Sequence, residues 1–195
     1  MRRLEIGPGS ERLPGFETLN AVRTPVTDYV GDARRPPFKD GTFDEVYSSH
    51  CIEHVEWYEV EATIAEWARI LKPGGTLEVH TVDGFKMMKA LVELEETGVS
   101  PIRAGKWRQD LHQGDPYKWA AGRILCYAKK GDGGLNCHRA IITPNYLRRC
   151  FEQAGLADIE PVALPRGTKK HASINLGLKG VKPPSHQIPE VRDMM

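Results

Sequence analysis

Leu4-Glu5-Ile6-Gly7-Pro8-Gly9 decides how the rest of the chain is read. Apolar residues run straight into a glycine pair, the pattern of a buried strand that ends in a tight turn. Gly7 and Gly9 permit positive φ and let a ligand come close to the backbone. In open α/β sheets, ligands bind outside the carboxyl ends of the strands. Gly7, Pro8 and Gly9 are therefore the candidate floor of a nucleotide-type site, although an ordinary turn would use the same residues. The third glycine of the dinucleotide fingerprint is absent, because position 12 is Arg12, and this argues against NAD.

Outward from this stretch, the chain alternates strand and helix signals. Strands are expected at Arg3 to Ile6, Glu17 to Val22, Asp28 to Val30, Phe43 to Ser48 and Thr76 to Val82. The first two are too close for a normal crossover helix. Pro8 and Pro14 leave room for one helical turn at most, capped by Ser10. Ser49 is placed to cap a short helix over His50 to Val55. Val60, Ile64, Trp67, Ala68 and Leu71 recur at helical spacing, which predicts an amphipathic helix over Glu59 to Leu71, stopped by Pro73-Gly74-Gly75. A helix over Phe85 to Glu95 follows. Thr143-Pro144 opens another by the cap-then-proline rule, and Gly155 closes it. Asp158 to Val162 and Ser173 to Lys179 read as an antiparallel pair at the sheet edge.

Between them, 98–137 carries Trp107, Tyr117, Trp119 and Tyr127 among many charges. That is too long for a plain loop. It reads as a partly helical cap over the site, with a helix over Lys118 to Tyr127, or else as a surface insertion. Residues 1–180 are expected to form one domain, with 181–195 a loose tail.

Composition limits the function. The net charge is +1, which gives no reason to expect nucleic acid or a membrane surface as partner. No apolar run approaches the length of a membrane helix. Cys51, Cys126, Cys137 and Cys150 form no C-x-x-C pair, and Met1-Arg2-Arg3 leads directly into the first strand. The expectation is a cytoplasmic protein with reduced cysteines, monomeric or homodimeric.

Three segments resemble, in order, the class I S-adenosylmethionine-dependent methyltransferases. Leu4 to Gly9 looks like their first motif, Asp40-Gly41-Thr42-Phe43-Asp44-Glu45-Val46-Tyr47 like their fourth strand, and Leu71-Lys72-Pro73-Gly74-Gly75-Thr76-Leu77 like the turn into the fifth. The likeness covers 3–83 well and 135–160 less closely. It is nearest to small bacterial enzymes linked to sugar, lipid or secondary-metabolite pathways, in which the shortened passage from Gly7-Pro8-Gly9 to Leu13-Pro14-Gly15-Phe16 also occurs. The resemblance implies a Rossmann-like α/β fold, with a mostly parallel seven-stranded sheet and a C-terminal antiparallel hairpin.

The resemblance also implies a cofactor, S-adenosyl-L-methionine, and residues to hold it. Glu5 takes the acidic position of the first motif and Gly7, Pro8 and Gly9 form its turn. Asp32, followed by Ala33, matches the adenine contact, and Ser49 and His50 border the methionine end. The ribose position, usually acidic, is Asn20. An amide lacks the charge that roughly doubles the strength of such a hydrogen bond. The acceptor expected is a small molecule, methylated on oxygen rather than nitrogen: a sugar, a glycan precursor or a secondary metabolite. Two residues are candidates for catalysis, His138 in Asn136-Cys137-His138-Arg139 and His50. Either can act as a base, because an imidazole titrates near pH 6.5.

Two other readings compete. His50, Glu53 and His54 spell H-x-x-E-H, the inverted zinc-protease signature, which would make the chain a zinc-dependent hydrolase. The stretch follows a strand directly and no cysteine or histidine cluster downstream offers a third ligand, so no metal is expected. The departure at Asn20 keeps open a protein that binds S-adenosylmethionine without catalysis.

Overall fold

The computed structural model describes residues 1–104, 106, 109–125, 134, 136–167 and 173–184. Its strands are β1 (Arg3–Ile6), β2 (Glu17–Asn20), β3 (Tyr29–Val30), β4 (Phe43–Ser49), β5 (Leu71–Val82), β6 (Ala157–Pro161) and β7 (Asn175–Val181). Among the described residues they form one seven-stranded sheet in the order β3-β2-β1-β4-β5-β7-β6. The first five are parallel, and β7 runs antiparallel between β5 and β6. The C-terminal pair is thus antiparallel and at the sheet edge as expected, with β7 between β5 and β6.

The central strands are buried on both faces, as parallel strands in α/β sheets are. Leu4, Ile6, Phe43, Val46, Leu77 and Val79 are fully buried. The helix α1 (Val60–Arg69) lays Val60, Ile64, Trp67 and Ala68 into this core. The helix α5 (Pro144–Gln153) adds Leu147, Cys150 and Phe151, and its cap is the predicted one: Tyr146 N donates to Thr143 Oγ1 at 3.4 Å.

Between β1 and β2 there is no helix. The Glu5 carboxylate instead holds the loop, accepting from Leu13 N at 2.7 Å. β5 is longer than predicted, because Leu71 already pairs with Phe43 and the Lys72 to Gly75 turn is tied to Lys182 through Gly74 N and Gly75 O. The helix expected from His50 to Val55 does not form. β4 continues through Ser49, and His50 N still donates to His80 O at 2.8 Å. A residue held by the sheet cannot open a helix. The chain turns through a left-handed His50 (φ 53°) into a 3-10 turn over Ile52–His54.

A second, smaller core covers the carboxyl end of β5. The helix α2 (Gly84–Thr97) is capped by Asp83 and stops at a left-handed Gly98. The helix α3 (Gln109–His112) precedes α4 (Pro116–Ile124). α4 begins earlier than the predicted Lys118, because Asp115-Pro116 is itself a cap followed by proline. Met87, Ala90, Ile102, Trp119 and Ala120 pack there on Val82 and Ile174. Trp107, Cys126, Tyr127 and the tail from 185 onward lie outside the described residues. Among the described residues no helix is long and apolar enough to cross a membrane.

Candidate functional site

The carboxyl ends of β1 to β4 line up along one rim. Gly7 N donates to Leu19 O and Gly31 N to Asn20 O, which lock the ends of β1, β2 and β3 together. Gly7 and Gly9 both have left-handed φ, 72° and 74°. Among the described residues a Cβ added at Gly9 would meet no atom within 4 Å, so the loop is open on that side to a ligand. At Gly7 the same atom would sit 2.7 Å from Cys51 Sγ, which is why position 7 must lack a side chain.

The residues expected around a nucleoside stand on this rim with partners of their own. Asn20 Nδ2 donates to Gly9 O at 3.4 Å and its Oδ1 accepts from Ala21 N at 3.1 Å. Asp32 takes a paired contact from the Arg34 guanidinium, with Nη2 to Oδ2 at 2.7 Å. The hydrogen bonds from Arg34 outweigh burial and hold the Asp32 carboxyl below its ordinary value. Arg34 also reaches Glu59 at 2.6 Å. Arg34 N and Nε also donate to Oδ1 at 2.9 and 3.0 Å, so an adenine amino group would share the carboxylate with Arg34. Asn20 offers a short amide to a hydroxyl. Glu5 is buried beneath the loop, and Ala33 O accepts from Trp67 Nε1 at 2.7 Å. These groups and the open space above Gly9 fit an uncharged ribose and an adenine amino group.

The rim continues into the turn after β4. Ser49 is buried at the end of that strand. His50 Nδ1 lies 3.0 Å from Glu53 Oε1. Glu53 is buried, and its backbone carbonyl accepts from both Arg139 N and Ala140 N. Burial alone would raise the Glu53 carboxyl. The hydrogen bond from His50 and the nearby His54 and His138 outweigh it and leave the carboxyl well below its usual range.

Folding brings His138 to this turn. Its Nδ1 donates to Arg123 O at 2.9 Å, and its ring meets that of His54 edge-on with centroids 5.0 Å apart. Burial lowers its pKa, which favours the neutral imidazole. Glu53, His138, Arg123, Val82, Met87 and Ile142 are among the residues that line a narrow cavity between β5, α2 and α4. On the other side of Ala140 and Ile141, a groove of ≈ 370 Å³ is walled by Trp57, Arg139 and Tyr146. Such a volume suits a small molecule. Trp57, Tyr146 and Arg123 carried no signal in the sequence that set them apart from core or surface residues.

The H-x-x-E-H spacing does not give the arrangement that its signature needs. With His50 left-handed and the following turn 3-10, His50 and His54 do not share a helix face. His50 and Glu53 bond to one another instead.

Known proteins agree with this architecture. A family model described as a methyltransferase domain matches residues 14–79. A putative methyltransferase from Bacillus halodurans superposes with a TM-score of 0.52 at 13% identity, over 93% of this chain and 92% of that one. This chain has the class I methyltransferase fold. The same methyltransferase architecture holds 1,6-didemethyltoxoflavin and S-adenosylhomocysteine in the N1-methyltransferase of Burkholderia thailandensis, at TM-score 0.53 and 13% identity, covering 93% of this chain and 70% of that one. In sequence, 65 residues are 38% identical to norajmaline N-methyltransferase of Rauvolfia serpentina. That match takes in 33% of this chain and only 22% of the plant protein's length.

Proposed function

We propose that the chain transfers a methyl group from S-adenosylmethionine to a small-molecule acceptor. One observation carries the reading. The open glycine loop and the histidine-lined cavity are joined by a single turn, Ser49 to Glu53, with Cys51 packed against Gly7. Methyl transfer is an in-line displacement, and it needs two sites held in fixed relation. When bound, S-adenosylmethionine supplies the electrophilic methyl carbon. Glu5, Gly7, Pro8, Gly9, Asn20, Asp32, Ala33, Ser49 and His50 would hold it. The acceptor would approach at the cavity that His138 lines, under the cap expected over 98–137.

The acceptor atom follows from the base. His138 Nδ1 faces a carbonyl, which can only accept, so the proton sits on Nδ1 and Nε2 keeps its lone pair. That lone pair can take the proton of a hydroxyl as the carbon–oxygen bond forms. The named relatives methylate nitrogen, so an amine is the competing acceptor. We further infer a cytoplasmic protein, monomeric or dimeric, that does not act on nucleic acid: the four cysteines form no C-x-x-C pair and the net charge is +1.

Transfer of a radiolabelled methyl group tests this, with matched panels of small alcohols and amines. Labelled product from the alcohols supports the full reading. Product from amines alone moves the acceptor to nitrogen. Binding of the demethylated cofactor without any transfer would leave a cofactor-binding protein.

A further inference from the structure

Glu53, His54 and His138 each offer one ligand atom, and these atoms lie within 4.8 Å of one another. The two histidines are prepared alike. His54 Nδ1 donates to Cys137 O at 3.1 Å, and His138 Nδ1 to Arg123 O at 2.9 Å. A backbone carbonyl has no proton to give, so both rings carry theirs on Nδ1 and keep the Nε2 lone pair. Metal-ligating histidines are held in this way, by a backbone or carboxylate partner on the other nitrogen.

Glu53 supplies the second observation. Its side chain is 3% exposed. Oε1 is engaged by His50 at 3.0 Å, but among the described residues no donor reaches Oε2. An unpaired carboxylate oxygen inside a protein is costly, and Glu53, His54 and His138 each bring one ligand atom within 4.8 Å of the others. A cation satisfies all three.

We propose that Glu53, His54 and His138 form a binding site for a late first-row divalent cation of the zinc or cobalt class. Two imidazoles and one carboxylate suit such ions better than magnesium or calcium, which take oxygen ligands. Three protein ligands leave a fourth position open, and Glu53 and His138 both line the cavity. His50 is a positioning residue here, because it fixes the carboxylate through Oε1. The site differs from the H-x-x-E-H reading in its ligands: His138 replaces His50, and it arrives from a distant part of the chain. It also goes beyond methyl transfer. A ligated Nε2 cannot take a proton, so cation binding and the base role of His138 exclude one another.

The test uses full-length, tag-free protein stripped of metal, with neither cofactor nor acceptor, so its outcome is separate from that of the methyl-transfer assay. Equilibrium dialysis against zinc chloride should give one zinc per chain. Cobalt(II) should give visible d–d bands and shift the ring protons of His54 and His138 in the wild-type NMR spectrum. His54→Ala and His138→Ala should each weaken binding at least tenfold, while His50→Ala weakens it less. Failure to take up stoichiometric zinc or cobalt would overturn the site, and so would cobalt shifts on His50 in place of His138. The paramagnetic shifts need no variant, so a substitution that fails to fold does not affect the outcome.

Discussion

Cys51 lies against Gly7 so closely that a Cβ on the glycine would fall 2.7 Å from its sulfur and 2.8 Å from its Cβ. The glycine loop after β1 and the turn after β4 are thus one packed unit, and a single methyl group added at Gly7 would strain their contact.

Gly7→Ala adds that group at a left-handed position. A non-glycine residue there costs about 1–2 kcal/mol before any clash. With Cys51 in the way, the total should reach about 3 kcal/mol, within the range of severe single substitutions. Urea unfolding will measure it, and a loss under 1 kcal/mol would mean that Cys51 moves aside freely. Gly9→Ala meets no neighbour among the described residues and should cost only the backbone strain.

Asn20 stands where the resemblance implies a ribose-binding carboxylate, and its hydrogen bond to Gly9 O is long at 3.4 Å. Asn20→Asp gives up little there and gains a charged acceptor. Calorimetry with the demethylated cofactor should show binding tighter by about 1 kcal/mol. Weaker binding would place the ribose elsewhere or show a site tuned to an amide.

His50 is left-handed without being glycine. Both His50→Gly and His50→Ala lose the contact with Glu53, but only alanine keeps the backbone strain. The glycine variant should be more stable than the alanine variant by roughly 1 kcal/mol in thermal or urea unfolding. Equal stabilities would indicate that the turn relaxes out of the left-handed region.

Removing the His138 imidazole should lower turnover about a hundred- to ten-thousand-fold if it is the base for methyl transfer. Cofactor affinity should stay nearly constant in His138→Ala, because the glycine rim is built from other elements. Parallel loss of affinity and stability would make His138 structural.

Acid stability should depend on Glu78. It is buried in the middle of β5, accepts from His80 Nε2 at 2.8 Å and pairs with the Arg166 guanidinium, which also reaches Glu45 at 2.6 Å. Burial raises its pKa, but the hydrogen bonds from His80 and Arg166 win, and the folded value falls below the ordinary one. A group depressed in this way contributes its full stabilisation above its unfolded pKa of about 4.3. The contribution is lost as the pH falls through the lower, folded value. Glu78→Gln should destabilise by about 1–3 kcal/mol at pH 7. The gap to the wild type should narrow below about pH 4. A gap that is constant from pH 7 to pH 3 would refute the assignment.

The strands and the rim were legible in the sequence because they rest on local rules. Leu4 to Gly9, Phe43 to Ser48 and the Thr143-Pro144 cap each declare themselves within a few residues, by apolar pattern, glycine freedom or capping chemistry. The same local rules failed after β4. Ser49 and the spacing of His50 and His54 suggest a capped helix, but pairing of β4 with β5 holds His50 in the sheet, and that bond comes from a strand some thirty residues on. Tertiary structure alone decided the histidine cluster. Spacing can place two residues on one helix face, but it cannot foresee that Arg123 and Cys137 present carbonyls which orient His138 and His54 towards Glu53. Which nitrogen keeps its lone pair, and what that lone pair can bind, depends on the long-range packing of α4 and the 137–142 segment against the turn after β4.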